Sequence, residues 1–305
     1  MKVRTDPVEC LREFVAQFVV IESESMPEWP IVATTDVFLG FDFGERRRIF
    51  DHRHGAFEDS MPVSILGPQT QRWAVVHAAH RFSGLMVRFE PGGFHRLFDI
   101  DVSQITDHCY AGADVLGREA LAVRQQIEEA ATVRAKITVV ERFLMTRVSG
   151  ARNTQAMHHA GRRLKATHGS VQLDALVDAY GISHRQFRRL FATQLGMSPK
   201  HYAKVERFSY ALRLKRQCPW LTWAQVSQEA GYFDQMHLVD DCKALGAATP
   251  TRLLPMVSAP VLPLSDEAAS IPASIAAARS LATHSRAARS WPAKAVLDVE
   301  RAVIA

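Results

Sequence analysis

Arginine side chains in the segment 184–195 have the spacing needed to contact nucleic acid from one face of a helix. Arg188 and Arg189 lie three and four residues after Arg185, and His184 precedes them. A guanidinium can form two hydrogen bonds with a guanine edge, and arginine or histidine can instead bind a phosphate. A charge run is also a common form of solvated protein surface. These four residues alone favour neither interpretation.

A second group of residues has the spacing of a metal site. His52, His54 and Glu58 follow the His-x-His-x-x-x-Glu pattern of cupin metal centres, and His95 could add a third imidazole. Alternation along a strand would place His52 and His54 on one face, where they could bind Fe²⁺, Mn²⁺ or Zn²⁺. The surrounding ERRRIFDHRHG is charged, as is typical of an exposed loop. A cupin-like metal-binding enzyme or metal sensor is therefore the alternative hypothesis, and the main prediction contains no metal site.

Other catalytic patterns are missing from the sequence. Neither Ser64 nor Ser83 lies in the glycine arrangement of a nucleophile elbow, and no glycine-rich phosphate loop precedes a helix. The 4 cysteines are far apart, which argues against a disulfide framework and a zinc finger. We predict a protein that is not an enzyme and has no cofactor.

Two helices separated by a glycine turn must position the arginines. In VQLDALVDAYGISHRQFRRLFATQLGMSP (171–199), apolar residues follow helical spacing on both sides of Gly181. Ser183 is placed to cap the second helix. The pattern predicts a helix-turn-helix, whose second helix enters the major groove. The predicted buried face of that helix comprises Phe187, Leu190, Phe191 and Leu195.

The same pattern recurs 51 residues later in the chain. Repetition of a helix cap, two apolar anchors and a Ser/Thr-Pro dipeptide indicates a duplicated unit. A second helix-turn-helix is therefore predicted around GYFDQMHLVDDCKALGAATP (231–250). The aligned pairs are Ser183 and Asp234, Phe187 and Leu238, Phe191 and Cys242, and Ser198-Pro199 and Thr249-Pro250.

Segment 155–253 resembles the DNA-binding module of the AraC/XylS family of bacterial transcription regulators. The matching stretches are LFATQLGMSPKHYAKVERFSYALRL (190–214) and AGYFDQMHL (230–238). The resemblance implies seven helices, in which a long helix at about 199–216 holds the two helix-turn-helix units. It also implies which exposed residues contact DNA. The implied base contacts are His184, Arg185, Arg188 and Arg189 in the first unit and Gln235, Met236, His237 and Asp240 in the second; the predicted phosphate contacts are Ser183, Lys200 and Lys204.

The second unit departs from the family pattern. Leu238 and Cys242 replace two phenylalanines, and a cysteine in place of phenylalanine loses apolar burial of about 1–3 kcal/mol. Asp240 lies on the presumed DNA face, where it could accept a hydrogen bond from cytosine or repel phosphate. Asp241 aligns with Leu190, a position that should be buried. We therefore expect the 183–195 helix to carry most of the DNA specificity.

Charge and composition divide the chain into three parts. Residues 1–154 contain 18 Lys+Arg and 21 Asp+Glu, whereas residues 155–255 contain 14 and 7. The predicted fold class is α+β with two domains: a small N-terminal β-barrel or sandwich with following helices (1–150) and a C-terminal all-α double helix-turn-helix (155–254). The Ala/Ser/Pro-rich tail (255–305) is predicted to be disordered. The first apolar run is too short to span a bilayer, which predicts a cytoplasmic protein with no membrane partner.

Residues 1–147 resemble the β-rich sensor domain that precedes this module in the family, chiefly through 64–73 and 86–107. The resemblance implies promoter DNA and RNA polymerase as partners, activation as the commoner outcome, and a small-molecule effector or a homodimer as the control. An effector would fit an apolar barrel interior, although aromatic residues at strand spacing are more often simply core. The aromatic residues considered for that interior are Trp73, Phe89, Phe94 and Phe98.

Overall fold

The computed structural model describes residues 1–25, 27–77, 81–152 and 154–257. Two antiparallel sheets form the N-terminal domain. The six-stranded sheet has the order β1-β2-β9-β4-β7-β10, and the four-stranded sheet has the order β3-β8-β5-β6. The strands are β1 (Lys2–Thr5), β2 (Val15–Ser23), β3 (Trp29–Ile31), β4 (Phe38–Asp42), β5 (Arg48–Asp51), β6 (Ala56–Asp59), β7 (Val63–Leu66), β8 (Ala74–Val76), β9 (Phe82–Phe89) and β10 (Cys109–Ala111).

Strand β2 organises this domain, because both of its faces are buried. Val19 and Ile21 pack with Trp29 and other residues of the four-stranded sheet. Phe18 and Val20 point to the opposite face and pack in a second core. The sheets therefore form a sandwich, as the sequence predicted. Apolar and aromatic runs in the sequence predict strands only from 31 to 90, whereas the β region begins at residue 2. A strand buried on both faces is a continuous apolar run, and such a run lacks the alternation that identifies a strand.

Helices cover the other face of the six-stranded sheet. They are α1 (Gly93–Phe98), α2 (Gly112–Leu116), α3 (Glu119–Glu129) and α4 (Val133–Val148). The helical spacing of Leu, Val and Ile predicts helices at 114–130 and 133–148. In the structure the first of these is divided at Gly117, whose φ of 78° is in the left-handed region. Ile127, Val140 and Leu144 are buried against the sheet.

Seven helices lie between residues 155 and 257 of the described chain, as the family resemblance implied. They are α5 (Gln155–Ala166), α6 (Leu173–Asp178), α7 (His184–Leu195), α8 (Pro199–Gln217), α9 (Trp223–Glu229), α10 (Gln235–Gly246) and α11 (Pro250–Val257). The predicted tail thus overlaps α11 up to Val257, and its remaining residues, 258–305, lie outside the described ranges. Within those ranges, every helix is too short or too polar to cross a bilayer.

Candidate nucleic-acid interface

Helices α6 and α7 form the first helix-turn-helix. The Ser183 hydroxyl oxygen accepts a hydrogen bond from the Gln186 amide at 3.2 Å, so Ser183 is the N-cap of α7. Phe187 and Phe191 are fully buried, and their rings lie 5.7 Å apart. Gly196 ends the helix in the left-handed region, with a φ of 85°. These local interactions fix the orientation of α7 about its own axis.

The outer face of α7 carries the predicted base contacts. His184, Arg185, Arg188 and Arg189 are all exposed, whereas Leu190 is half-buried. The His184 imidazole lies 3.8 Å from the exposed Asp174 carboxylate, and no ion pair is recorded for the three guanidiniums among the described residues. The structure therefore brings the four residues onto one solvent-facing surface.

Helices α9 and α10 form the second unit. Thr222 and Gln225 make a reciprocal capping box at the start of α9. The Asp234 carboxylate accepts a hydrogen bond from the His237 amide at 2.8 Å, which makes it the predicted N-cap of α10. Gln235, Met236, His237 and Asp240 are exposed, and the His237 ring packs edge-on against Tyr232 at 5.2 Å.

An ion pair with Lys204 explains the burial of Asp241, the second aspartate of α10. Asp241 is almost fully buried, and its carboxylate lies 3.0 Å from the Lys204 ammonium on α8. Burial, together with the negative charge of Asp241, raises the pKa of the neighbouring Cys242 thiol to about 12. The same two causes raise the pKa of the Tyr232 phenol. Lys204, which the sequence offered as a phosphate contact, is thus engaged inside the domain.

Comparison of the sequence with known protein families agrees with this geometry. Residues 176–255, which include both units, match the family described as "Helix-turn-helix domain". Residues 176–255 form an AraC-type helix-turn-helix domain. Residues 3–111 match a domain of unknown function (DUF6597).

No curated protein matches the chain. The chain is similar in structure to ToxT from Vibrio cholerae: one ToxT structure at 1.65 Å resolution has 10% sequence identity, covers 79% of this chain and 98% of ToxT, and has a TM-score of 0.46. A structure of unsaturated fatty acid bound wild-type ToxT from strain SCE256 has 11% identity, covers 78% and 94%, and has a TM-score of 0.44.

The C-terminal helices, including α5, pack against the N-terminal domain through buried polar groups. The Lys165 ammonium of α5 lies 2.5 Å from the Asp36 carboxylate, and both side chains are largely buried. The Thr35 hydroxyl donates a hydrogen bond to the Glu206 carboxylate in the middle of α8. Burial raises the pKa of Glu206 above its ordinary value, although the positive charge of Lys165 opposes the shift. The junction therefore contains charges that are costly to desolvate.

We expect the Glu206→Gln variant to be more stable than the wild type at neutral and alkaline pH. Because the folded pKa of Glu206 is raised, its favourable contribution is complete below the ordinary value of 4.5 and is lost as pH rises through the folded pKa. Glutamine keeps an acceptor for Thr35 and does not ionise. Urea unfolding at pH 4.5 and pH 8 measures the effect. A variant that is less stable than wild type at pH 8 would contradict this account.

The first recognition helix also contacts the N-terminal domain at its end. The Thr106 hydroxyl donates a hydrogen bond to the Gly196 carbonyl at 2.7 Å. A small cleft lies beside Thr35, Phe89, Gln194 and Leu195. The N-terminal half of α7, which bears the arginines, faces away from this contact into solvent.

The aromatic residues considered for an effector site do not share one interior. Trp73 belongs to the core between the two sheets. Phe89 and Phe94 belong to the core beneath the helices, where Phe98 packs against them. These four residues are therefore parts of two separate cores. Packing in the core was the alternative to an effector site for aromatic residues at strand spacing.

The predicted metal pattern is arranged differently in the structure. His52 and His54 lie in the turn between β5 and β6, so strand alternation does not apply to them. The group in the described residues whose ligand atoms lie within 4.8 Å of one another is Asp51, His54 and Glu58. His52 and His95 are outside it, and the His95 imidazole instead lies 2.8 Å from the Ile100 carbonyl.

Asp51 forms an ion pair with Arg53. Its buried carboxylate accepts hydrogen bonds from the Arg53 guanidinium, with the shortest at 2.7 Å. These bonds are the main cause that lowers the pKa of Asp51 to about 2. An arginine so placed would repel a divalent cation, so the geometry favours an ion pair that stabilises the turn.

Proposed function

We propose that this chain is a sequence-specific, DNA-binding transcription regulator that binds promoter DNA through its AraC-type domain. The observation that carries the proposal is the surface of α7, where Arg185, Arg188 and Arg189 are exposed opposite a fully buried pair of phenylalanines. A rigid helix with free guanidiniums on its outer face suits bidentate hydrogen bonds to guanine in the major groove.

Affinity and specificity would come from different residues. The long helix α8 has 19 residues and, at about 1.5 Å per residue, spans roughly 28 Å, which suits two recognition helices in adjacent major-groove segments. Exposed basic residues such as Lys200 supply phosphate contacts, whose strength falls steeply with salt. The α7 side chains supply the preference for sequence.

The N-terminal domain is proposed to control DNA binding by the AraC-type domain. The Asp36–Lys165 and Thr35–Glu206 contacts join the two regions, so a change in the N-terminal domain can reach α5 and α8 directly. The signal is proposed to be a small-molecule effector or formation of a homodimer, and the outcome to be activation through contact with RNA polymerase.

Arg185→Ala should weaken binding to the preferred operator by about 1–3 kcal/mol and should relax specificity at a single base position. The operator would be selected from a random DNA pool with the full chain, and binding measured by fluorescence anisotropy at fixed salt. Arg142→Ala is the matched control, because Arg142 is exposed on α4 of the N-terminal domain. Equal affinity and an unchanged footprint for Arg185→Ala would contradict the assignment of α7.

A further inference from the structure

The second recognition helix carries apolar side chains at the positions of two of the three arginines in the first. The 51-residue repeat aligns Arg185 with Met236 and Arg188 with Val239. Met236 is 64% exposed, although methionine is usually buried. Phe233, which immediately precedes the N-cap of α10, is 95% exposed. Phe233, Met236 and Val239 are spaced at three residues and form what we call the apolar stripe.

Charge does not explain this surface. Residues 217–242 contain no lysine or arginine, and Asp240 aligns with Arg189 of the first unit. The carboxylate of Asp240 lies 3.8 Å from the Lys243 ammonium, and both groups are exposed. Attraction to phosphate is therefore weak here, and the polar side chains exposed in the first turn of α10 are the Gln235 amide and the His237 imidazole.

The stripe is held rigidly, even though it is exposed. Asp234 caps α10, while Leu238 and Cys242 are fully buried on its opposite face. Val239 is half-buried between the two faces. An exposed apolar group on a fixed helix face is costly in water and becomes favourable when a partner covers it.

Chemistry in the major groove provides a matching partner. The C5 methyl of thymine is the apolar group that base edges present there, and glutamine can form two hydrogen bonds with the adenine of the same pair. We propose that the second unit recognises A·T pairs, with Phe233 and Met236 packing on thymine methyl groups and Gln235 available to the paired adenine. The inference rests on the proposed function and adds that the operator has two unlike segments, one bound by arginine and one by apolar contact.

The repeat favours DNA over a protein as the partner of the stripe. Met236 occupies the same place in its unit as Arg185, in the first turn of a capped recognition helix. Helices in this position present their first turn to base edges. Protein docking on the stripe is therefore an alternative outcome that the test below separates.

Deoxyuridine in place of thymidine tests the inference, because the substitution removes only the methyl group. A buried methyl is worth about 0.8 kcal/mol, which is roughly a fourfold change in Kd. With the full chain and a selected operator, each contacted thymidine replaced by deoxyuridine should weaken binding about fourfold. The Met236→Ala and Phe233→Ala variants should bind the thymidine operator more weakly than the wild type. For each variant, the ratio of the Kd for the deoxyuridine operator to the Kd for the thymidine operator should fall towards one.

Two controls separate this effect from general damage. Arg185→Ala should keep the thymidine preference while losing affinity in the other segment. Met145→Ala, which removes an exposed methionine on α4, should change neither quantity.

Equal binding of thymidine and deoxyuridine operators by the wild type would overturn the inference and leave the proposed function intact. Unchanged DNA binding by Phe233→Ala and Met236→Ala would also overturn it and would favour a protein partner for the stripe. Failure of the full chain to select any sequence from the pool would contradict the proposed function itself.

Discussion

Replacing Gly196 with alanine should lower the free energy of unfolding by about 3 kcal/mol or more. The φ of Gly196 is 85°, where a side chain costs roughly 1–3 kcal/mol. A Cβ would also lie 2.5 Å from the Thr106 Oγ1, 2.8 Å from the Pro68 Cγ and 3.0 Å from the Val102 Cγ1. Crowding of this kind costs a further 1–3 kcal/mol or so. Urea unfolding followed by circular dichroism measures the loss.

Gly181→Ala is the matched control. Its φ of 63° imposes a similar backbone strain, but a Cβ there has no atom within 4 Å. The difference between the two variants therefore isolates the cost of crowding where α7 meets the N-terminal domain. Equal losses would contradict the close packing of Gly196 against Thr106 and Pro68.

Lys204→Met should destabilise the chain by about 2–3 kcal/mol, because it leaves the buried Asp241 carboxylate without its counter-charge. Loss of one partner from a fully buried pair costs about 3–5 kcal/mol. The side chain of Lys204 is 37% exposed, and we lower the expected loss accordingly. Thermal or urea unfolding of the single variant measures the effect.

A double-mutant cycle completes the test. Asp241→Leu restores the residue type of Leu190 at the repeat-related position, so the Lys204→Met, Asp241→Leu double variant should recover most of the stability. Lys243→Met is the control, since its pair with Asp240 is exposed and should be worth less than about 1 kcal/mol. A double variant as unstable as the Lys204 single variant would contradict the role of the pair.

Elements with local signals could be predicted from the sequence. The cap at Ser183 and the glycine at 196 define the ends of α7, and Ser198-Pro199 defines the start of α8. These signals depend on residues within a few positions of one another. The exposed arginines follow, because burial of Phe187 and Phe191 fixes which face of α7 remains outside.

Contacts between distant residues could not be predicted in this way. The sequence did not explain an aspartate at the position aligned with Leu190, because the partner of Asp241, Lys204, is on another helix. The pairing of Asp36 with Lys165 joins residues 129 positions apart. Strand β2 could not be predicted for a related reason. Both of its faces are buried by distant parts of the chain, so its sequence lacks the alternation that identifies a strand. His52 and His54 do not share a strand face, because Gly55, with a φ of 63°, turns the chain between β5 and β6.

The Thr106–Gly196 hydrogen bond holds one end of α7 against the N-terminal domain, whereas the end that bears Arg185 is exposed. The 12 residues of α7 span about 18 Å, and Gly196 at the end of the helix is hydrogen-bonded to Thr106. A rotation of about 10° around that end would displace the first turn by roughly 3 Å, close to the 3.4 Å or so between successive base pairs. If α7 pivots at this contact, a tilt of about 10° shifts Arg185 by about one base-pair step.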